Sequence, residues 1–148
     1  MDDQAVFERM AALLRAKDVA VLATMSADGP HASLMAYAAA ADGRRLWMVS
    51  EGQTRKVRNL RAEPRVSLLV DTREMLDKGG RAQALTVFGQ CRVLESGPDR
   101  DAALAEVVRR RPLLRELAES PGAVALEVRV TGMLLLDGIR EARFLKID

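Results

Sequence analysis

Hydrophobic positions along the chain change their period several times, and each change marks a predicted element. From Val6 to Leu14, apolar residues recur at positions i, i+1, i+4, i+7 and i+8, which is one face of a helix. This spacing predicts an amphipathic helix over residues 3–16. The pattern then shifts to short apolar runs separated by turns, which is typical of β-strands.

Apolar runs predict the strands. The first three, residues 18–25, 30–40 and 44–50, are joined by the turn-forming pairs Asp28-Gly29 and Asp42-Gly43, so they predict a β-meander. Further strands are expected over residues 65–71, 84–95, 123–130, 132–138 and 142–147. Gly89, inside one of these runs, indicates a β-bulge or a close backbone approach.

Three segments between the strands are not strand-like. A short helix is predicted over residues 54–62, because Pro64 prevents its continuation. Residues 72–83 are a polar connection, and residues 99–119 are helical with a kink or restart at Pro112. The prediction is a single domain over residues 1–148, mainly β with flanking helices, in which six or seven antiparallel strands close into a barrel.

Composition narrows the function classes. Hydrophobic residues make up 49% of the 148-residue chain and charged residues 30%, which is typical of a globular protein. No apolar run approaches the roughly 20 residues that span a bilayer, and the acidic start "MDDQAVFERM" does not resemble a secretory signal. A single cysteine, Cys91, predicts a buried apolar residue and fits a reducing compartment. These features predict a cytoplasmic protein with no membrane partner.

Positive charge is concentrated in one segment. Residues 44–65 contain seven basic and two acidic residues, a local net charge of +5 in a chain whose net charge is +2. Within "EGQTRKVRNLRAEP", Thr54 is the expected cap of the short helix, and Arg55 and Lys56 lie in its first turn. Cations there oppose the helix dipole at a cost of roughly half a kcal/mol each, which an anion offsets. The segment therefore predicts a phosphate site, or alternatively a solvated basic helix face.

Three stretches in this order resemble one family. They are "VAVLATMSADGPHASLMAY", "LWMVSEGQTRKVRNLRAEPRVSLLV" and "VFGQCRVLE". Over residues 17–95 the chain resembles the flavin mononucleotide (FMN)-binding split barrel of the pyridoxamine 5′-phosphate oxidase-like superfamily. The later stretch "RRRPLLRELAESPGAVALEVRV" is similar to small single-domain members of that superfamily. The resemblance implies a split barrel of Greek-key type and a homodimer with FMN in two interface clefts.

The resemblance also implies which residues bind the flavin. Residues of the second strand would line the isoalloxazine ring, namely Ser33, Leu34, Met35, Ala36, Tyr37 and Ala38. Val49 and Ser50 would contact the ring or the ribityl chain, and Thr54, Arg55 and Lys56 would hold the phosphate. A glutamine before the fifth strand approaches the flavin in the family's oxidases, and Gln83 is the nearest residue of that type here.

Other cofactors and roles are also compatible with this sequence. Related proteins with the same fold bind a deazaflavin or haem, and His31, the only histidine, is then the available axial ligand. A flavin-dependent oxidoreductase and a non-catalytic flavin-binding protein are both compatible with the sequence. Oxidation of pyridoxamine phosphate itself is not expected, because the final segment "IREARFLKID" contains no histidine. Nucleic-acid binding ranks last because aromatics are only 3% of the chain. Trp47 is assigned to the core.

Overall fold

The structure is a computed structural model that describes residues 2–138 and 141–148. Among these residues, eight strands form one antiparallel sheet. The strands are β1 (Val19–Ser26), β2 (Gly29–Ala36), β3 (Ala38–Ala39), β4 (Arg45–Glu51), β5 (Arg65–Asp71), β6 (Gln83–Leu94), β7 (Ala123–Asp137) and β8 (Glu141–Lys146). The helices are α1 (Asp3–Ala16), α2 (Arg55–Ala62), α3 (Pro98–Arg110) and α4 (Arg115–Ala118), with 3₁₀ helices at Arg73–Lys78 and Pro112–Leu114. The mainly β prediction with flanking helices is confirmed.

The sheet curls on itself because one segment bends. The strand order is β2-β1-β5-β6-β7-β4-β3, with β8 paired to β7. β2 and β3 lie at opposite ends of this order, yet Tyr37 alone separates them in the chain. The predicted strand over residues 30–40 is therefore two strands, and only Ala38–Ala39 pairs with β4. The predicted meander exists in this bent form, and the bend produces the split barrel.

A β-bulge corrects the prediction of two strands over residues 123–130 and 132–138. The register of β6 against β7 pairs Gly89 with Val130 and Phe88 with Gly132, which leaves Thr131 as one extra residue. The strand β7 is thus continuous. Gly89 is required here, since a Cβ atom at this position would lie 2.6 Å from the Arg129 carbonyl oxygen.

The barrel interior holds the main hydrophobic core. Helix α1 contributes Val6, Met10 and Leu14, all buried, to this cluster. The Tyr37 hydroxyl donates a hydrogen bond to the Leu14 carbonyl oxygen, which ties the bend of the sheet to α1. Cys91 is buried as predicted, and burial raises the pKa of its thiol to about 12, so the thiol is unreactive at neutral pH.

A second, smaller core lies outside the barrel. Helices α3 and α4 cover the outer side of β3, β4 and the first half of β7, where Val49, Ala123 and Ala125 are buried against Ala103 and Val107. The predicted helix over residues 99–119 is broken, because α3 ends at Arg110 and a 3₁₀ helix begins at Pro112. No helix in the described ranges is long and apolar enough to cross a membrane.

Candidate functional site

One cleft gathers many of the residues predicted to bind a cofactor. It has a volume of about 310 Å³ and lies between the edge of β2, the end of β4, the start of α2 and the segment that leads into α4. The predicted residues that line it are Leu34, Met35, Ala36, Val49, Ser50, Thr54 and Lys56. The other lining residues are Glu51, Leu114 and Leu117. Residues from four separate elements therefore form one concave site.

The β2 side of the cleft presents backbone hydrogen-bonding groups. Ser26 pairs with Gly29 across a two-residue turn, so hydrogen-bonded pairs recur at every second residue from there. By this alternation Ser33 and Met35 bond to β1, whereas the N–H and C=O groups of Leu34 and Ala36 point to the free edge of β2. A flat ring with polar edges can therefore pair with the main chain on this side of the cleft.

The start of α2 forms the polar end of the cleft. Thr54 occupies the N-cap position as predicted, but its side chain makes no capping hydrogen bond among the described residues. The Thr54 hydroxyl instead donates to the Glu51 carbonyl oxygen at 3.2 Å. The first backbone bond of the helix runs from the Arg58 N–H to the Thr54 carbonyl oxygen, so the preceding amides have neither a helical partner nor a capping side chain. These amides are available to an anion.

The basic residues of this segment divide into paired and unpaired ones. Arg61 forms an ion pair with Glu95 and Arg65 with Glu63. Hydrogen bonds from Arg65 lower the pKa of Glu63 to about 2. In contrast, Arg55, Lys56 and Arg58 have no carboxylate partner among the residues that the structure describes. The uncompensated positive charge is thus at the helix start, where Lys56 lines the cleft.

The loop before α2 is fixed from the opposite side of the cleft. The Gly52 N–H donates to the Gly122 carbonyl oxygen at 2.8 Å. The Ser120 hydroxyl donates to Glu51 Oε1, also at 2.8 Å. Both partners belong to the turn between α4 and β7. The position of the helix start therefore depends on the segment that carries Leu114 and Leu117.

Several predicted residues lie outside the cleft of their own chain. Tyr37 and Ala38 are fully buried, and burial raises the pKa of the Tyr37 phenol, which stays neutral. Ser33 pairs with Leu22 and does not line the cleft. Arg55 is exposed and is not among the residues that line the cleft. Gln83 begins β6, where its N–H donates to the Thr72 hydroxyl at 2.8 Å, away from these walls.

His31 and Trp47 occupy other places. His31 pairs with Thr24 in the sheet, and its Nδ1 atom is buried without a hydrogen-bond partner, but the residue does not line the cleft. Trp47 is half-buried beneath α3, where its indole N–H donates to Glu127 at 3.0 Å and Arg45 stacks over the ring at 5.2 Å. The core role predicted for Trp47 fits this position.

Sequence reasoning missed Leu114 and Leu117. They lie 49 and 52 residues after Arg65, the last residue of the basic segment, in the stretch predicted to be helical over residues 99–119. The available signal was Pro112, which breaks the helix and lets two leucines turn toward the cleft. Only the folded chain brings them opposite β2.

Comparison with known proteins identifies the family by sequence. The sequence model described as pyridoxamine 5′-phosphate oxidase matches residues 6–137. No curated protein matches the chain significantly.

Solved structures share the fold at low sequence identity. A heme binding protein from Mycobacterium smegmatis has a TM-score of 0.83 at 18% identity, covering 99% of this chain and 59% of that one. General Stress Protein 26 from Bacillus anthracis str. Sterne has a TM-score of 0.71 at 18% identity, covering 96% and 98%. A protein from Clostridium acetobutylicum, related to general stress protein 26 and of the pyridoxinephosphate oxidase family, has a TM-score of 0.75 at 15% identity, covering 99% and 97%.

Proposed function

Because the chain belongs to the pyridoxamine 5′-phosphate oxidase family, we propose that it binds FMN in the cleft between β2 and the start of α2. The observation that carries the proposal is the uncapped helix start with the unpaired Lys56 beside it. Free helical N–H groups and an adjacent cation are the features that bind a phosphate. Thr54 lines the same end of the cleft, and Arg55 is the first residue of the helix.

The remaining walls fit the other parts of FMN. The free backbone groups of Leu34 and Ala36 match the polar edge of the isoalloxazine ring, and Val49 and Ser50 lie between this edge and the helix start. The cleft volume of about 310 Å³ is at the lower end of the range for small-molecule sites. A second chain across the mouth of the cleft would enclose more of the ligand.

A homodimer is part of the proposal, and the outer surface of the sheet supports it. One cross-strand row of side chains runs over six neighbouring strands, and its members are Leu34, Val21, Leu69, Thr86, Leu134 and Phe144. We name the outer surface around this row the open face. The row is about 24 Å long at the usual strand spacing, and no described helix covers it. Apolar surfaces of this extent typically mark interfaces.

The open face and the cleft share a residue. Leu34 lines the cleft, and it is 72% exposed in the single chain. A partner chain that covers the open face would therefore reach the mouth of the cleft. This continuity supports a dimer with the cofactor near the subunit interface.

The proposed activity is that of a flavin-dependent oxidoreductase whose substrate is unassigned. A bound flavin supplies hydride or electron transfer, while the protein binds and orients it. Among the described residues that line the cleft, Glu51 and Lys56 are the ionisable ones, and both lie at the α2 end. A non-catalytic flavin-binding role is the second candidate, because no described residue that lines the β2 side of the cleft is an acid or a base.

Haem has less support in this cleft. The lining residues include no histidine or cysteine, and His31 lies elsewhere. A deazaflavin shares the ring shape of FMN and would use the same walls. An absorption spectrum of the purified protein separates these cofactors, since a bound flavin gives visible flavin bands and haem gives a Soret band.

The decisive experiment is a charge-matched pair of double variants. Replacing Arg55 and Lys56 with alanine should reduce FMN affinity by about 100-fold, because each charge-assisted contact to the phosphate contributes roughly 1.5 kcal/mol. The control replaces Arg61 and Arg65, which carry the same charge but already have carboxylate partners. It should bind FMN as the wild type does. Equal affinities for both double variants, measured by flavin fluorescence, would refute the phosphate site.

A further inference from the structure

The segment Pro112–Ala118 forms the wall of the cleft that faces β2. Leu114 and Leu117 line the cleft from this segment, whereas Leu113 between Pro112 and Leu114 is 98% exposed. Leu114 and Leu117 are half-buried and pack against the smaller core that contains Val49 and Ala118. The adjacent residues Leu113 and Leu114 therefore differ, because Leu113 faces the solvent and Leu114 faces the cleft.

Hydrogen bonds fix the segment that carries Leu114 and Leu117. The backbone N–H of Leu114 donates to the Arg111 carbonyl oxygen at 2.9 Å, and Arg111 itself donates from Nη2 to the Lys17 carbonyl oxygen at 3.2 Å. At the other end, Ser120 bonds to Glu51 as described above. The wall is therefore tied to the barrel on both sides, so the space between Leu114, Leu117 and β2 has a defined width.

We infer that Leu114 and Leu117 determine which ring system the cleft accepts. This inference rests on the proposed FMN site, and it assigns the choice of cofactor to two leucine side chains, which carry no hydrogen-bonding group. Apolar side chains opposite a polar backbone edge suit a flat ring with one polar edge and one apolar edge. The three fused rings of a flavin have this form, whereas a tetrapyrrole is wider and needs more space between the walls.

The test compares ring selectivity in three proteins. These are the wild type, the double variant Leu114→Ala with Leu117→Ala, and the control Leu113→Ala. FMN, riboflavin and haemin are titrated into each protein. The double variant should bind FMN and riboflavin more weakly by the same factor, about tenfold or more, because apolar contact with the ring is lost. The ratio of haemin affinity to FMN affinity should rise. Leu113→Ala should match the wild type.

Other results would overturn the inference. Unchanged FMN affinity in the double variant would refute a role for the wall. A loss for FMN with none for riboflavin would show that the leucines act through the phosphate end instead. If the wild type binds FMN and the double variant behaves identically, this inference alone fails. If the wild type binds no FMN, the proposed function fails first.

Additional variants separate ring selection from stability. The substitutions Leu114→Met and Leu117→Met keep the side-chain volume and should restore FMN affinity to within about twofold of the wild type. Leu114→Phe should narrow the cleft and weaken FMN without creating a cavity. Unfolding midpoints of all variants are measured in parallel. The assignment is contradicted if FMN affinity falls only in proportion to the unfolding midpoint and the ratio of haemin affinity to FMN affinity does not change.

Discussion

The outer surface of the barrel has two regions with contrasting side chains. Under α3 and α4 the sheet presents small residues, including Ala38, Ala123 and Ala125, all buried. On the open face it presents larger ones, such as Leu69, which is 37% exposed, and Phe144, which is 59% exposed. Small residues let a helix approach the sheet closely, whereas the larger residues form an apolar surface that no described helix covers.

Strand β7 belongs to both regions. Its first half contributes Ala123 and Ala125 beneath α3, and its second half contributes Leu134 and Leu136 to the open face. The extra residue Thr131 shifts the alternation, so odd positions face outward before it and even positions face outward after it. Because of the bulge, one strand presents small residues to α3 in its first half and larger residues to the open face in its second half.

The largest expected effect concerns the open face. The substitution Leu69→Glu places a charge near the middle of the proposed dimer interface, where an uncompensated buried charge costs about 3 kcal/mol or more. The dimer dissociation constant should rise by about 100-fold, measured by analytical ultracentrifugation.

The matched control for this variant is Leu113→Glu. Leu113 is 98% exposed and lies outside the open face, so this change should leave the association unaffected. A Leu69→Glu protein that dimerises like the wild type would show that the open face is not the interface. A wild type that stays monomeric at high concentration would refute the dimer itself.

A smaller effect, on the free energy of unfolding, is expected for a substitution beneath α3. Ala125 is completely buried there, so Ala125→Leu should overpack the contact and lower the free energy of unfolding by about 1–3 kcal/mol. The same change at the exposed Ala142, which pairs with Leu136 on the open side, should change it by less than about 0.5 kcal/mol. Urea unfolding measures both, and similar losses at the two positions would contradict the contrast between the regions.

The smallest expected effect is on the pH dependence of stability, and it concerns Glu127 beside Trp47. Burial by itself raises the pKa of Glu127, but hydrogen bonds from Arg92 and Trp47 outweigh it and lower the pKa below the ordinary value of 4.5. The folded chain then binds this proton less readily than the unfolded chain. The stabilisation, about 1 kcal/mol, is present above about pH 4.5 and is lost as the pH falls through the lowered pKa.

Trp47, the only tryptophan, reports this titration. Its fluorescence should change below pH 4.5 in the wild type, and Glu127→Gln should abolish the change. If the glutamine variant shows the same transition, another group controls the indole environment.

The sequence predicts local elements well because their signals are local. The helix α1 and the basic helix α2 follow from periodicity and from Pro64, and the bulge follows from Gly89. The basic start of α2 pointed to an anion, and Thr54 lies at the predicted N-cap position, although its side chain makes no capping hydrogen bond.

Features that depend on distant parts of the chain could not be predicted in this way. Tyr37 reads as the middle of one strand, and only its contact with α1 explains the bend there. Apolar runs such as "DVAVLATM" predict a strand buried on both sides, but they do not indicate whether a helix or another chain covers the outer side. For the same reason Leu114 and Leu117 could not be placed opposite β2.

The start of α2 is the proposed binding site for the phosphate of a flavin. The most direct measurement is a pair of fluorescence titrations of the wild type with FMN and with riboflavin, which lacks the phosphate. FMN should bind with micromolar or tighter affinity, and riboflavin should bind more weakly by about tenfold or more. Equal affinity for the two ligands, or no binding of FMN, would contradict the proposed site.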